Sequence, residues 1–302
     1  MNKITNGKIT GIIPPIITPL NEDGTLDLEG LTRVIEYDIA GGCSGIFVMG
    51  STGEAMRVSR QTWRDTINNA CRIAGDRVHV FCGVIDSSTE RVIENIKTAE
   101  QFGAKYVVST VPFYIQNCCQ DEMIRHYEKI ASSTALNVVV YNIPSNVGTK
   151  IEPETVARLA QIENIKAYKD STADWENFQR CLFLLKDADI SIFNGAEELC
   201  AAAMLFGANG CVPGLGCIFP KVFVDMYNAA QEGNIELAFQ LQKQVWLVRK
   251  ALFAGQSWLS AMKYLGKYTG LSSTDYASFP IEPLTTNQKN MINQYVKESG
   301  LL

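Results

Sequence analysis

Chemistry in this chain is concentrated first at a lysine that closes a run of apolar residues. Lys169 ends the segment Ile165-Lys166-Ala167-Tyr168-Lys169-Asp170, which reads as a β-strand. With a side-chain period of two, Ala167 and Lys169 share one face while Lys166 and Tyr168 point the other way. If Ala167 faces a packed interior, so does Lys169. Desolvation then lowers the lysine pKa and raises the fraction of neutral, nucleophilic amine. A structural lysine paired with Asp170 is the competing reading. Tyr141 closes a second such run, Val138-Val139-Val140-Tyr141-Asn142. A phenol level with a reactive amine can relay protons as a carbinolamine forms and collapses; a packing tyrosine with its hydroxyl in solvent is the alternative. The third feature is Gly50-Ser51-Thr52-Gly53-Glu54. Small hydroxyls between glycines bring backbone N–H groups and short side-chain donors into one tight curve, an arrangement suited to a carboxylate. The same residues would equally serve as a plain turn, and Glu54 reads as a brace for the loop or the next helix.

The elements that must position these groups repeat along the chain. From residue 11 a short β-branched run, a polar loop and an amphipathic helix follow one another again and again. Strands are expected at 12–18, 45–50, 78–84, 105–110, 138–142, 165–169, 190–194 and 210–212, with helical spacing at 28–40, 60–74, 90–102, 121–132, 153–161, 173–185, 197–206 and 220–231. Glycine turns such as Gly207-Ala208-Asn209-Gly210 suit a helix end feeding directly into a strand. Nearly continuous apolar strands imply parallel strands covered on both faces, in either a closed barrel or an open doubly wound sheet. An open sheet of this type carries a glycine fingerprint in its first turn. Here that turn reads Thr18-Pro19-Leu20-Asn21-Glu22-Asp23-Gly24, with no GxGxxG or GxxxxGK anywhere in the chain. The repeat therefore predicts a (β/α)8 TIM barrel over residues 8–232. Helical patterns alone follow, at 235–253, 257–267 and 287–298, read as a C-terminal helical extension (233–302) packed on the barrel; a small separate domain is the alternative. A barrel of this kind places its active site at the C-terminal ends of its strands, where Lys169, Tyr141 and the 50–54 loop all fall.

Composition narrows the partners. The chain has 302 residues, 46% hydrophobic and 20% charged, enough for a sizeable core. A net charge of −5 argues against nucleic acid or an anionic membrane surface, since both call for a basic face. Nine cysteines, at 43, 71, 82, 118, 119, 181, 200, 211 and 217, include no CxxC pair and read as buried free thiols of a reducing compartment. The first residues lack an apolar signal core, and no run approaches the ~18 apolar residues of a membrane span, so a cytoplasmic location is expected. The two histidines, His79 and His126, sit away from strand C-termini and read as structural. A metal site is not expected, nor any organic cofactor.

In this order, on strands two, five and six, the motifs resemble the dihydrodipicolinate synthase / N-acetylneuraminate lyase family over roughly residues 8 to 300. Gly50-Ser51-Thr52-Gly53-Glu54 matches its G-[ST]-T-G-E motif, Tyr141-Asn142-Ile143-Pro144 its Y-N-x-P motif, and Lys169 the family lysine. The resemblance implies a (β/α)8 barrel, commonly a homotetramer, that condenses or cleaves at the methyl carbon of pyruvate. It implies Lys169 as Schiff-base former, Tyr141 as proton shuttle, and Ser51 and Thr52, with Gly50 and Gly53, as the holders of the pyruvyl carboxylate. Ser51 would join Tyr141 in a hydroxyl relay that Tyr114 completes, often from a neighbouring subunit. Gly195 would lie close to bound substrate.

The residues also separate branches of the family. Synthases carry an arginine two residues after the proline of Y-N-x-P, for the carboxylate of the aldehyde; here the position holds Asn146, which cannot make the bidentate contact. Arg57 could compensate. Ser171, two after the lysine, resembles the hydroxyl-bearing position of sugar-acid lyases, and Glu197 and Glu198 resemble the acidic pair that accepts hydrogen bonds from substrate hydroxyls. Both glutamates could instead be first-turn residues stabilised by the helix dipole. The expected activity is thus reversible cleavage of a 2-keto-3-deoxy sugar acid to pyruvate and an aldehyde. Dihydrodipicolinate synthase, a related keto-deoxy acid dehydratase, and a non-catalytic sensor that keeps the pyruvate pocket are the rivals.

Overall fold

The computed structural model describes residues 7–116 and 119–302. Eight parallel strands form the sheet: β1 Gly11–Ile12, β2 Gly45–Val48, β3 His79–Gly83, β4 Tyr106–Ser109, β5 Asn137–Asn142, β6 Ile165–Asp170, β7 Ser191–Asn194 and β8 Gly210–Cys211. Hydrogen-bonded ladders run in the order β1-β8-β7-β6-β5-β4-β3-β2. Between β2 and β1 the seam is closed by single bonds, Phe47 N–H to Pro14 O (2.8 Å) and Ile16 N–H to Phe47 O (2.9 Å). This is the expected (β/α)8 barrel, with one physical difference. The predicted first strand, 12–18, shortens to Gly11–Ile12 because Pro14 and Pro15 lack the N–H that a ladder needs.

Around the barrel lie α1 Leu28–Ala40, α2 Arg60–Ala74, α3 Thr89–Gln101, α4 Gln120–Ser132, α5 Pro144–Val147, α6 Pro153–Leu159, α7 Trp175–Leu184, α8 Cys200–Leu205 and α9 Pro220–Gln231. Then come α10 Ile235–Arg249, α11 Trp258–Tyr268 and α12 Thr286–Ser299. Start positions follow capping chemistry: Asp27, Ser59, Ser88 and Asp174 each accept a bond from a first-turn N–H. The α7 start moves from the predicted 173 to Trp175 because Asp174 is the cap and Ala173 takes a left-handed φ of 57°. The predicted helix 197–206 divides into a 3-10 turn, Glu197–Leu199, and α8. The short α5 after Tyr141-Asn142-Ile143-Pro144 was not expected; Pro144 starts it and left-handed Gly148 ends it. No helix among the described residues is long and apolar enough to cross a membrane.

One apolar core runs from the barrel lumen through the helical ring into the last helices, where Val245, Met262, Leu265, Ile292 and Val296 join it. The described cysteines are all free thiols. Most are buried as expected, but Cys119 is exposed, and Cys71 is half-buried because it lies off the buried face of α2; Cys118 lies outside the described residues. The core has one costly member. Asp38 continues the buried face of α1 formed by Leu31, Val34 and Ile35, and neither of its carboxylate oxygens has a hydrogen-bond partner among the described residues. Burial holds its pKa well above the ordinary 3.8. A raised folded-state pKa contributes stability below the unfolded value that is lost as pH rises. Replacing Asp38 with Asn removes that loss. Asp38→Asn should therefore raise Tm by a few degrees near pH 8 and give no gain near pH 3, as thermal unfolding at the two pH values would show.

Candidate active site

The strand ends converge on Lys169. In the β5–β6 register Tyr141 lies directly opposite Lys169, so tyrosine and lysine emerge at one level of the barrel mouth. The amine sits 4.1 Å from the centre of the Tyr141 ring and 4.9 Å from that of Phe47 on β2. Lys169 is 4% exposed and forms no ion pair with a described residue. Burial lowers its pKa, with the Tyr141 side chain and Glu197 opposing. The alternative pairing with Asp170 is not made. Asp170 turns outward and accepts bonds from Tyr168 (2.7 Å), Asn177 (3.0 Å) and Thr172. Alternation along β6 is what separates the two: Lys169 faces the lumen and Tyr168 the helices.

Small residues make room beside the amine. A Cβ on Gly195 would stand 2.9 Å from Lys169 Cε and collide with Ser171 Oγ, so Gly195 and Ser171 both border the lysine. The Gly50–Glu54 loop closes over the mouth from β2. Its shape is forced: Met49 and Glu54 both adopt left-handed φ, 55° and 58°, and a Cβ on Gly50 would meet the Phe47 ring at 2.7 Å. Inside it, Thr52 is buried, Gly53 O accepts from Thr18 Oγ1 at 2.7 Å, and Ser51 Oγ accepts from Asn146 Nδ2 at 3.2 Å.

The strain in the loop is held by a pair that sequence patterning does not reveal. Lys263 of α11 lies 2.7 Å from Glu54 Oε1 in an ion pair with both side chains essentially inaccessible. Lys263 also donates to Thr18 O, and Glu54 Oε2 accepts from the Ser278 N–H at 2.7 Å. Burial lowers the Lys263 pKa, and Glu54 opposes. Glu54 thus acts as the expected brace, but its anchor is the C-terminal helices rather than the next barrel helix. A lysine among Ala261, Met262 and Leu265 was the available signal.

The remaining expected residues divide. Glu197 is buried close enough to raise the Lys169 pKa, yet its Oε1 accepts from the Leu215 N–H at 2.5 Å and its Oε2 faces Arg249 at 3.6 Å. Glu198 Oε1 also accepts from Arg249, at 3.3 Å. Tyr114 is 94% exposed with a left-handed φ of 77°; its ring is not brought to Lys169 within this chain. Beside the Gly50–Glu54 loop opens a cavity of about 380 Å³ lined by Ser51, Asn146, Phe113 and Thr110. Arg57 and, from α11, Trp258 line it as well. His126 lies outside: its Nε2 donates to Thr110 O and its Nδ1 accepts from Thr89, and burial lowers its pKa to about 4. His79 packs edge-on against Tyr106.

A buried amine at a barrel mouth, level with a phenol and roofed by a donor-rich loop, defines a Schiff-base enzyme of the class I aldolase type. The chain belongs to the dihydrodipicolinate synthetase family, whose model matches residues 8–299, a family of pyruvate-dependent class I aldolases. It is 31% identical over 296 residues (97% of this chain, 99% of the relative) to the 4-hydroxy-tetrahydrodipicolinate synthase of Methanocaldococcus jannaschii. The structure of dihydrodipicolinate synthase from Bacteroides thetaiotaomicron is similar with a TM-score of 0.91 and 34% identity, covering 96% of this chain and 98% of that one. YagE, a prophage protein of Escherichia coli K12 solved with pyruvate, superposes with a TM-score of 0.92 and 25% identity, covering 97% and 99%.

Removing one member of a buried ion pair strands the other, at a cost of about 3–5 kcal/mol. Lys263→Met should lose that much stability in denaturant unfolding, and Lys263→Met combined with Glu54→Leu should regain a large part of it. A single mutant as stable as the parent would show that the pair does not hold the loop.

Proposed function

We propose that this chain condenses pyruvate with an aldehyde through a Lys169 Schiff base. The observation that carries the reading is the Lys169 amine, desolvated without an ion pair and level with Tyr141. The neutral amine attacks C2 of pyruvate, and the carbinolamine loses water to give an iminium. That cation is an electron sink, so the methyl carbon releases a proton and the enamine attacks the aldehyde carbon. Hydrolysis then frees the lysine. Tyr141 moves protons during water loss, with Ser51 next in the relay. Thr52 and the N–H groups of the loop at Gly50 and Gly53 hold the pyruvyl carboxylate, and the bare face of Gly195 admits the substrate chain. Tyr114, strained and pointing into solvent, completes the site of a neighbouring copy in a homo-oligomer, a tetramer by family resemblance. A cytoplasmic location goes with this reading.

For the carbonyl partner, the similarities support the synthase reading, 4-hydroxy-tetrahydrodipicolinate synthase, over the sugar-acid cleavage expected from the motifs. The acidic pair bears on this too: the Glu197 and Glu198 carboxylates are engaged by the Leu215 N–H and Arg249, which leaves them poorly placed for sugar hydroxyls. Sugar-acid cleavage is the second reading, favoured by two specific positions: the neutral Asn146 on the cavity wall and the Ser171 hydroxyl beside Lys169. A dehydratase would use the same lysine.

Incubation with pyruvate and borohydride should place a reduced pyruvyl group on Lys169, located by peptide mass spectrometry. An adduct on a different lysine, or none, would sink the proposal. Because burial lowers the Lys169 pKa, the rate of adduct formation should fall as pH drops through that pKa and be half-maximal below 10.5, the ordinary lysine value. Tyr141→Phe should slow turnover about 10²–10⁴-fold while leaving the fold unchanged. If Tyr114 serves a neighbour, specific activity should fall on dilution to monomer, whereas a fully active monomer would refute that role.

A further inference from the structure

Cys71 and Cys82 stand apart from the site, and neither serves the reaction proposed above. Their Sγ atoms lie 3.8 Å apart, in direct contact. Two different elements bring them together. Along β3, Phe81 points into the barrel, where its ring meets that of Phe193. Cys82 follows it and so faces the helices. Cys71 lies near the end of α2, half-buried beside the stripe formed by Ile67, Ala70 and Ala74. Access differs between the two thiols. Cys82 is 0% exposed, whereas Cys71 lines a surface cavity of about 590 Å³ that shares no residue with the one beside the Gly50–Glu54 loop. Arg72, His79 and Lys105 line it too, with Lys105 paired to Asp76 at 2.6 Å. With Cys82 donating, the hydrogen bond between the thiols holds Cys71 below the ordinary thiol range; the same bond, and burial, push Cys82 well above it. Thiolate character thus falls on the sulfur that solvent can reach. Cys200 and Cys211 are a second close pair, the Cys211 Sγ lying 3.8 Å from Cys200 O, but both are 0% exposed.

We infer that Cys71 and Cys82 form a peroxide-responsive pair that closes to a reversible disulfide, with Cys71 as the attacking sulfur and Cys82 as the resolving one. The Cys71 thiolate attacks one oxygen of hydrogen peroxide and the O–O bond breaks. The departing hydroxide takes up the proton that the Cys71 thiol gave off, and the first water leaves. Cys71 is now a sulfenic acid. The Cys82 sulfur displaces the sulfenic hydroxyl, forming the S–S bond, and the Cys82 proton leaves with that hydroxyl as the second water. Two thiols are oxidised and one peroxide is reduced to two waters, so no further reactant is needed. Because the sulfurs already touch, the second step is intramolecular and captures the sulfenic acid before more peroxide carries it to the sulfinic acid. A small dithiol reverses the closure by exchange. Such a bond suits a chain whose described cysteines are otherwise free thiols, since disulfides in reducing surroundings are transient and redox-sensing. The pair functions whether or not Lys169 forms a Schiff base.

The experiment treats the reduced, desalted protein with hydrogen peroxide, quenches with N-ethylmaleimide in denaturant, and maps the chain by non-reducing peptide mass spectrometry. A peptide pair joined through Cys71 and Cys82 should appear, with alkylation lost at those two positions and kept at Cys200 and Cys211. Dithiothreitol should restore alkylation at both. Cys82→Ser leaves the first step without the second, so dimedone, a trap for sulfenic acids, should label Cys71 in that variant. Cys71→Ser should give neither the linked peptides nor a label on Cys82. The linked peptides are read on the unaltered protein, so a variant that folds poorly does not decide the outcome. Cys71 and Cys82 both still alkylated after peroxide would overturn the pair. So would Cys71 carried to the sulfinic acid with Cys82 free, or either thiol joined to a different cysteine instead.

Discussion

Keeping a lysine amine dry is the constraint around which this molecule is arranged. An ammonium group taken out of water without a counter-ion is strongly disfavoured, so Lys169 is pushed toward its neutral, nucleophilic form. Nearby carboxylates must be present but spoken for. Asp170, its chain neighbour, is bound into a set of bonds with Tyr168, Asn177 and Thr172 on the helix side of the sheet. Glu197, on the lumen side, is held by the Leu215 N–H and Arg249. Either acid, free to turn toward the amine, would restore its charge and quench its reactivity.

Two separate parts of the chain make the mouth of the barrel. The 50–54 loop carries the oxygen and N–H donors, but its left-handed residues would not hold that shape alone. Lys263 and the Ser278 N–H, both beyond the barrel, fasten it through Glu54. Trp258 of the same helix lines the cavity that the loop overhangs. The C-terminal helices therefore shape the cavity and its loop as well as the core.

Legibility differed by the range of the interaction. Apolar periodicity and turn residues are local properties, so the eight strand–helix units were readable directly; prolines (Pro14, Pro15) shortened the first strand and a cap (Asp174) moved the start of α7. Alternation likewise placed Lys169 on the lumen face and Tyr168 on the other. Readings that depended on where a charged side chain finds its partner fared differently. Glu197 and Glu198 looked available to a substrate, yet Arg249, some fifty residues along the chain, engages both.

What the sequence determined by itself was the barrel, the lysine, the tyrosine opposite it and the loop between glycines, since each follows from spacing within one or two elements. Only the tertiary structure decided which charges cancel. Glu54 found Lys263, Glu197 and Glu198 found Arg249, and Arg57 was left facing the cavity. Ion pairing depends on distance through space, and the connections that bring these partners together are made by the closing of the barrel and the packing of the last helices, which no local pattern records.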